Sequence, residues 1–353
     1  MKNVISRIFQ VAAVFIGTIV GAGLASGREI TQFFTLYGYK SFVGIFICGI
    51  LYILVASMLI KISIKNNLKS YNELITLVSP GFLGKVTDVI TSFFLISGAA
   101  IILAASGALL HQYFGVTKWI GIILMTTLTL IVLFRDTKGL IEINTVIVPS
   151  LIIVLSCTFI LFIILSKDSF SISYIKSIPY TKDYWLFSTI LYAGFNLLCC
   201  SGVLIPLSSE IKSPKIMIWG VVLGSIGLTV LCIMINLMLM FNVPYIFKYE
   251  IPLLYIANRF GMLMQMMLLI VIWLEMFSTA VSDVYSVGKT LSHIFKISYK
   301  KAVLIIIAIA MPISQIGFAN LVKVLYPSFG VISVVFIIQC TLFYFRSKVK
   351  SKL

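Results

Sequence analysis

Charged side chains are scarce along this chain, and long stretches contain none. Of its 353 residues only 11% are Asp, Glu, Lys or Arg, whereas 60% are hydrophobic. A soluble domain carries about a quarter charged residues, so this composition excludes a soluble globular protein. A membrane span needs about 20 apolar residues, and the apolar residues suffice for roughly ten spans. The chain is therefore predicted to be an all-α polytopic membrane protein.

Histidine is nearly absent, which limits both metal binding and catalysis. His111 and His293 lie at the ends of apolar runs, and all six cysteines lie within such runs without metal-ligand spacing. No nucleophile is paired with a base, so we expect neither enzymatic activity nor a cofactor. SVGKT at 286–290 lacks the earlier glycine of a phosphate-binding loop, because Asp283 occupies that position. ATP-driven transport is therefore not supported.

Acidic residues are fewer than basic ones, 11 against 27, which gives a net charge of +16. The basic residues do not gather on one face, as nucleic-acid binding would require, but stand at the ends of apolar runs. The predicted spans are residues 8–36, 41–63, 84–112, 118–135, 139–166, 185–210, 215–241, 259–292, 300–316 and 319–345. The connections on the side of the N-terminus hold 18 of the 27 Lys and Arg residues. This asymmetry predicts a plasma-membrane protein with both termini in the cytoplasm.

The two halves of the chain resemble each other weakly. Residues 139–154 align without gaps on residues 317–332 at a shift of 178, with four identities in sixteen positions. Each half contains five predicted spans, an odd number, so the second copy must enter the membrane from the opposite face. We expect one transmembrane domain over residues 1–353, built from inverted repeats at 8–166 and 185–345.

The stretch IVGAGLASGREI at 19–30 interrupts the first span with small residues. Unpaired backbone groups in lipid cost several kcal/mol each, so a helix breaks there only where it faces protein, water or a ligand. A break at Gly21 and Gly23 would offer carbonyls to a cation and amides to an anion. The sixth span has a similar interruption at 200–202, followed by Pro206. Small residues can also serve helix packing alone, but paired interruptions favour a transport site.

A polar stripe marks the eighth span, within an arc of about 140° on one helix face. Its members are Glu275, Ser278, Thr279, Ser282, Asp283 and Ser286. A charged side chain at the membrane centre costs roughly 2.5 to 3.5 kcal/mol, so the two acids must be protonated, paired or in contact with water. The hydroxyls suit Na⁺ or backbone contacts, and the carboxylates suit a cation or a proton.

The first span, IGTIVGAGLASGREITQFF, resembles the first helix of the YkvI-type family of bacterial membrane proteins, and more distantly that of amino acid-polyamine-cation permeases. The YkvI-type likeness extends through IPLLYIANRFG at 251–261 and covers nearly the whole chain. It implies the leucine-transporter fold: about ten transmembrane helices in a five-plus-five inverted repeat, with helices one and six broken.

The same resemblance implies where ligands bind. The substrate site would consist of Gly21, Ala22, Gly23, Ser26, Gly27, Asn196, Cys200, Ser201 and Gly202. The ion-coupling site would combine carbonyls around Gly17 and Val20 with Ser278, Thr279 and Ser282. We count the two acids of the polar stripe, Glu275 and Asp283, with this site. Arg28 and Glu29 would serve as an outer gate. Acids such as Glu275 and Asp283 are not general in that ion site, so they leave a proton or a cationic substrate open.

These features predict a secondary transporter that moves a small polar solute, an amino acid or related amine, by alternating access. Its partners would be the solute, a monovalent cation, Na⁺ or H⁺, and the lipid bilayer, without nucleic acid. The alternative is a permease-like sensor or receptor subunit that binds a solute without net transport.

Overall fold

The computed structural model describes residues 2–165, 183–249, 251–316 and 318–350. These residues form helices and connecting turns, without a strand. The helices are α1 (Lys2–Ile19), α2 (Ala22–Ala25), α3 (Arg28–Phe33), α4 (Lys40–Asn66), α5 (Tyr71–Val78), α6 (Phe82–Phe114), α7 (Lys118–Leu133), α8 (Thr137–Leu165), α9 (Trp185–Ile211), α10 (Pro214–Met240), α11 (Pro252–Asn258), α12 (Met262–Phe295), α13 (Tyr299–Ser314) and α14 (Phe318–Lys350).

Ten of these helices contain 16 residues or more and overlap the ten predicted spans, although α1 ends at Ile19, well before the predicted end at 36. By length and composition, six of them can cross a membrane: α4, α6, α8, α9, α10 and α12. Shorter apolar helices are found in α1, α7 and α14. Five long helices lie in each half of the chain, and each half has a short helix, α5 or α11, before its third long one. The predicted all-helical architecture is confirmed.

The first long helix packs at the centre of the bundle, against α8, α9, α10 and α12. Small residues make this close packing possible. A Cβ on Gly220 of α10 would meet Val11 at 2.5 Å, and a Cβ on Gly224 would meet Phe15 at 2.9 Å. The start of α1 is partly exposed, but from Val11 to Val20 every side chain is buried. The break that follows therefore lies inside protein, where unwound backbone is tolerated.

The predicted break in helix one is present. Helix α1 ends at Ile19, and Gly21 adopts extended backbone with φ −95° and ψ −170° before α2 begins at Ala22. A second turn follows four residues later at Gly27, whose φ of +83° is rarely adopted by other residues. The two glycines therefore divide this segment into a long helix and two short ones.

The predicted break in helix six is wrong, because α9 continues from Trp185 to Ile211 without interruption. Pro206 removes one backbone donor, but nearby serine hydroxyls bond to carbonyls of the same helix. Ser208 donates to the Ile205 carbonyl and Ser209 to the Pro206 carbonyl, both at 2.8 Å. These hydroxyls do not reach the Gly202 carbonyl, which loses its helical donor because Pro206 has no N–H. The helix continues through the proline with that one backbone bond missing.

Candidate functional site

The break in helix one faces two hydroxyl groups of α12. The Ser278 hydroxyl lies 3.1 Å from the Gly17 carbonyl oxygen, and the Thr279 hydroxyl lies 3.2 Å from that of Val20. Because α1 ends here, its last carbonyls lack the partners that a continuing helix would supply. The residues predicted as the core of a cation site are therefore brought together, all from neutral oxygen donors.

A third helix adds an oxygen that the sequence analysis did not include. Asn144 of α8 places its Oδ1 atom 2.7 Å from the Ser278 hydroxyl, while its Nδ2 donates to the Leu140 carbonyl of its own helix. A Cβ on Gly17 would overlap the Asn144 amide and meet the Ser278 hydroxyl at 2.8 Å. The signal in the sequence was a polar residue, Asn144, within an apolar span. The glycine that faces it, Gly17, lies in another span.

Three further members of the polar stripe on α12 lie in different environments. The Ser282 hydroxyl lies 3.4 Å from that of Thr18 on α1, next to the cluster just described. Ser286 donates to a carbonyl of its own helix. Glu275 is fully buried, and neither carboxylate oxygen has a hydrogen-bond partner among the described residues.

A cavity of about 60 Å³ lies directly beside the break. Of the predicted substrate residues, Gly21, Ala22, Gly23 and Asn196 line it, together with two residues predicted for ion coupling, Thr279 and Asp283. Its other lining residues are Thr18, Ile19, Glu29, Gly98, Ile101, Ile102, Phe195 and Cys199. The break, α6, α9 and α12 thus enclose one space near the middle of the bundle.

Five predicted substrate residues do not line this cavity. The Ser26 hydroxyl lies 3.1 Å from the Gly23 carbonyl, and Gly27 faces Leu253. On α9 the three predicted residues are Cys200, Ser201 and Gly202, which are buried elsewhere. Because α9 remains helical, its side chains keep their helical spacing, and Phe195, Asn196 and Cys199 face the cavity instead.

The two residues predicted as an outer gate take different positions. Arg28 is exposed and donates to the Tyr249 carbonyl at 3.0 Å, between α3 and the segment before α11. Glu29 is only 7% exposed and lines the central cavity. The turn at Gly27 before α3 directs Glu29 toward the cavity, and the outer-gate role of both residues stays a prediction.

A larger cavity of about 810 Å³ opens on the lysine-rich side, which the charge distribution predicts to be cytoplasmic. At the wall of this cavity, Lys289 of α12 lies 2.9 Å from Asp136 and 3.6 Å from Glu210. Thr137 bonds to both Glu210 and the Tyr285 hydroxyl. We call these five residues the inner network; it joins the start of α8, the end of α9 and α12.

Comparison with solved structures identifies the architecture. The structure of MhsT in complex with L-phenylalanine superposes with a TM-score of 0.68 at 17% identity, over 95% of this chain and 87% of MhsT. A Na⁺-coupled sialic acid symporter gives 0.66 at 14% identity, over 92% of this chain and 75% of the symporter. Mhp1, a nucleobase-cation-symport-1 family transporter, gives 0.63 at 11% identity, with coverages of 92% and 74%. The chain is a membrane protein with the leucine-transporter fold.

Sequence relatives define the family within that fold. The membrane protein YkvI of Bacillus subtilis (strain 168) is 32% identical over 333 residues, which is 93% of each chain. YyaD of the same organism is 26% identical over 93% of this chain and 94% of its own. Residues 248–353 match the family described as branched-chain amino acid transport protein. The chain belongs to the YkvI family of membrane proteins.

Proposed function

We propose that this protein is a secondary transporter of the plasma membrane, which moves a small amine-bearing solute, an amino acid or a related amine, together with Na⁺ by alternating access. The observation that carries the proposal is the pairing of the Gly17 and Val20 carbonyls with the Ser278 and Thr279 hydroxyls. In transporters with broken helices, carbonyls at the break coordinate the coupling ion.

The chemistry of this group of oxygens favours Na⁺ over a proton as the coupling ion. The Gly17 and Val20 carbonyls, the two hydroxyls and Asn144 Oδ1 are neutral, hard donors from three helices. Such donors suit an alkali cation, whereas a transported proton needs a group that ionises. Because α1 and α12 would both hold the ion, its binding would favour one relative position of these helices.

The comparisons agree with this proposal. The match to a branched-chain amino acid transport family covers the last third of the chain, including α12 with Ser278 and Thr279. Among structures with the same fold, one holds L-phenylalanine and another belongs to a Na⁺-coupled symporter. An amino acid or amine as solute and Na⁺ as ion are therefore the first choices to test.

Uptake into proteoliposomes tests the proposal. Radiolabelled amino acids and amines should accumulate when NaCl is outside and KCl inside, and the accumulation should disappear when Na⁺ is equal on both sides. Protein-free liposomes and a proton gradient without Na⁺ are the controls. If accumulation depends on the proton gradient and not on Na⁺, the assignment of Na⁺ as the coupling ion is wrong. If no gradient alters the uptake of any compound, the transport proposal fails.

A further inference from the structure

Two carboxylates from different elements line the central cavity, and no basic residue does among those that the structure describes. Glu29 belongs to α3 and Asp283 to α12. They are 7% and 8% exposed, so both are more than nine-tenths buried. The remaining walls are apolar or neutral, with Ile19, Ile101 and Phe195 among them. The ionisable side chains that we find in the cavity wall are therefore acidic ones.

Both carboxylates lie where a glycine makes room for them. A Cβ on Gly23 would overlap the carboxyl group of Glu29, and a Cβ on Gly98 of α6 would meet Asp283 Oδ2 at 2.6 Å. Any larger residue at either position would push the carboxylate away. The chain thus provides specific space for two acids beside one cavity, on four different elements.

Neither carboxylate has a positively charged partner among the described residues. Asp283 forms no hydrogen bond or ion pair there, and Glu29 Oε2 has no hydrogen-bond partner. The Tyr192 hydroxyl lies beside Glu29, but not in hydrogen-bond geometry. Buried charges in proteins are ordinarily paired. A cation in the cavity would give both carboxylates a partner of opposite charge.

We propose that Glu29 and Asp283 bind the protonated amine of the solute, and that the cavity selects small alkylammonium ions without a carboxylate. The proposal rests on the proposed function for the site, and it narrows the solute class. The ammonium lies between the two acids, and the alkyl group contacts Ile19, Ile101 and Phe195. A neighbouring aromatic face adds to the attraction for a cation.

An amine and the corresponding amino acid differ in net charge. Both carry an ammonium, but the carboxylate of an amino acid enters a small space that already contains two acidic groups. Like charges at close range repel, and more strongly where water is excluded. A Na⁺ beside Thr279 offsets one negative charge, and the ammonium offsets the other. An amine therefore neutralises the site, whereas a zwitterion leaves one charge uncompensated.

Equilibrium binding to the full-length protein in detergent, with Na⁺ present, tests this selectivity. The probes are isobutylamine, L-valine, which adds only a carboxylate, and N-acetylisobutylamine, which has no charge. Isobutylamine should bind at least about tenfold more tightly than either. Binding of valine as tight as that of isobutylamine, or binding of the acetylated compound, overturns the proposal, and this comparison needs no variant.

Variants then assign the interaction to the two acids. Glu29→Gln and Asp283→Asn keep the side-chain size and should each weaken isobutylamine binding about tenfold or more. Glu142→Gln, on the exposed surface, is the matched control and should bind as wild type. Wild-type affinity in either cavity variant contradicts the proposed role of that residue.

The measurement also separates this inference from the proposed function. Binding in detergent requires no gradient, so tight isobutylamine binding without Na⁺-driven uptake would refute transport alone. Na⁺-driven uptake of valine, with valine binding more tightly than isobutylamine, would refute the amine selectivity alone.

Discussion

At the scale of single residues, the candidate ion site depends on the hydroxyl groups of two consecutive residues. Ser278 and Thr279 are adjacent on α12 and therefore point about 100° apart, yet each meets a carbonyl of α1, that of Gly17 or Val20. This is possible because α1 ends between the two contacts. A continuous helix would bond its carbonyls internally and leave none for the hydroxyls.

Thr279→Ala removes one of these oxygens, and we expect it to raise the Na⁺ concentration for half-maximal uptake about fivefold. The estimate takes about 1 kcal/mol for the lost contact. Thr127→Ala is the matched control, because Thr127 is exposed on α7 and likewise donates to a carbonyl of its own helix. Uptake should be measured against Na⁺ concentration. An unchanged Na⁺ dependence in Thr279→Ala would remove this residue from the ion site.

Glu275 distinguishes the two coupling ions. It is fully buried one turn before Thr279, and its carboxylate has no hydrogen-bond partner in the part of the chain that the structure describes. We expect Glu275→Gln to fold and to keep Na⁺-driven uptake, because the amide is neutral and nearly the same size. Gel filtration reports on folding and the proteoliposome assay on uptake. A folded variant without uptake would instead assign proton transfer to Glu275.

At the scale of elements, contacts between helices lie on either side of the central cavity. On one side the Leu253 N–H donates to the Ser26 carbonyl at 3.0 Å, and Arg28 reaches the Tyr249 carbonyl. On the other side the inner network joins α8, α9 and α12. Asp283 and Lys289 are six residues apart on α12, about 9 Å along the helix. One layer of side chains therefore separates the central cavity from the lysine-rich one.

Lys289→Ala should loosen the inner network, since this lysine forms ion pairs with both Asp136 and Glu210. Cys199, which lines the central cavity, should then react roughly two- to fivefold faster with a membrane-impermeant thiol reagent applied from the cytoplasmic side. Peptide mass spectrometry locates the label. Lys301→Ala on the exposed part of α13 serves as control. An unchanged labelling rate would show that the network does not close this side.

Elements and sites differ in how far the sequence predicts them. Apolar length and glycine content predict the ten long helices and the break at Gly21, since these depend on local composition. The continuity of α9 through Gly202 and Pro206 depends on how this largely buried helix packs against its neighbours, which composition alone cannot reveal. The inward direction of Glu29 and the contact between Asn144 and Ser278 depend on how separate helices pack. That the two halves of the chain are inverted repeats stays a prediction.

At the scale of the whole molecule, three features lie along one path through the bundle. The wide cavity opens on the lysine-rich side, the inner network follows, and the central cavity lies beyond it with the ion site at its wall. Thr279 belongs to both the ion site and the wall of the cavity, so solute and ion would contact the same side chain. Binding of one would then change the affinity for the other by the same factor in both directions.

Coupled movement of ion and solute is the central claim, and reversing the gradient tests it most directly. Proteoliposomes are loaded with solute and placed in solute-free medium with radioactive sodium equal on both sides. A coupled transporter should export sodium as the solute leaves, although no sodium gradient drives it, and Thr279→Ala should weaken this export. Solute efflux without any net movement of sodium would contradict the account.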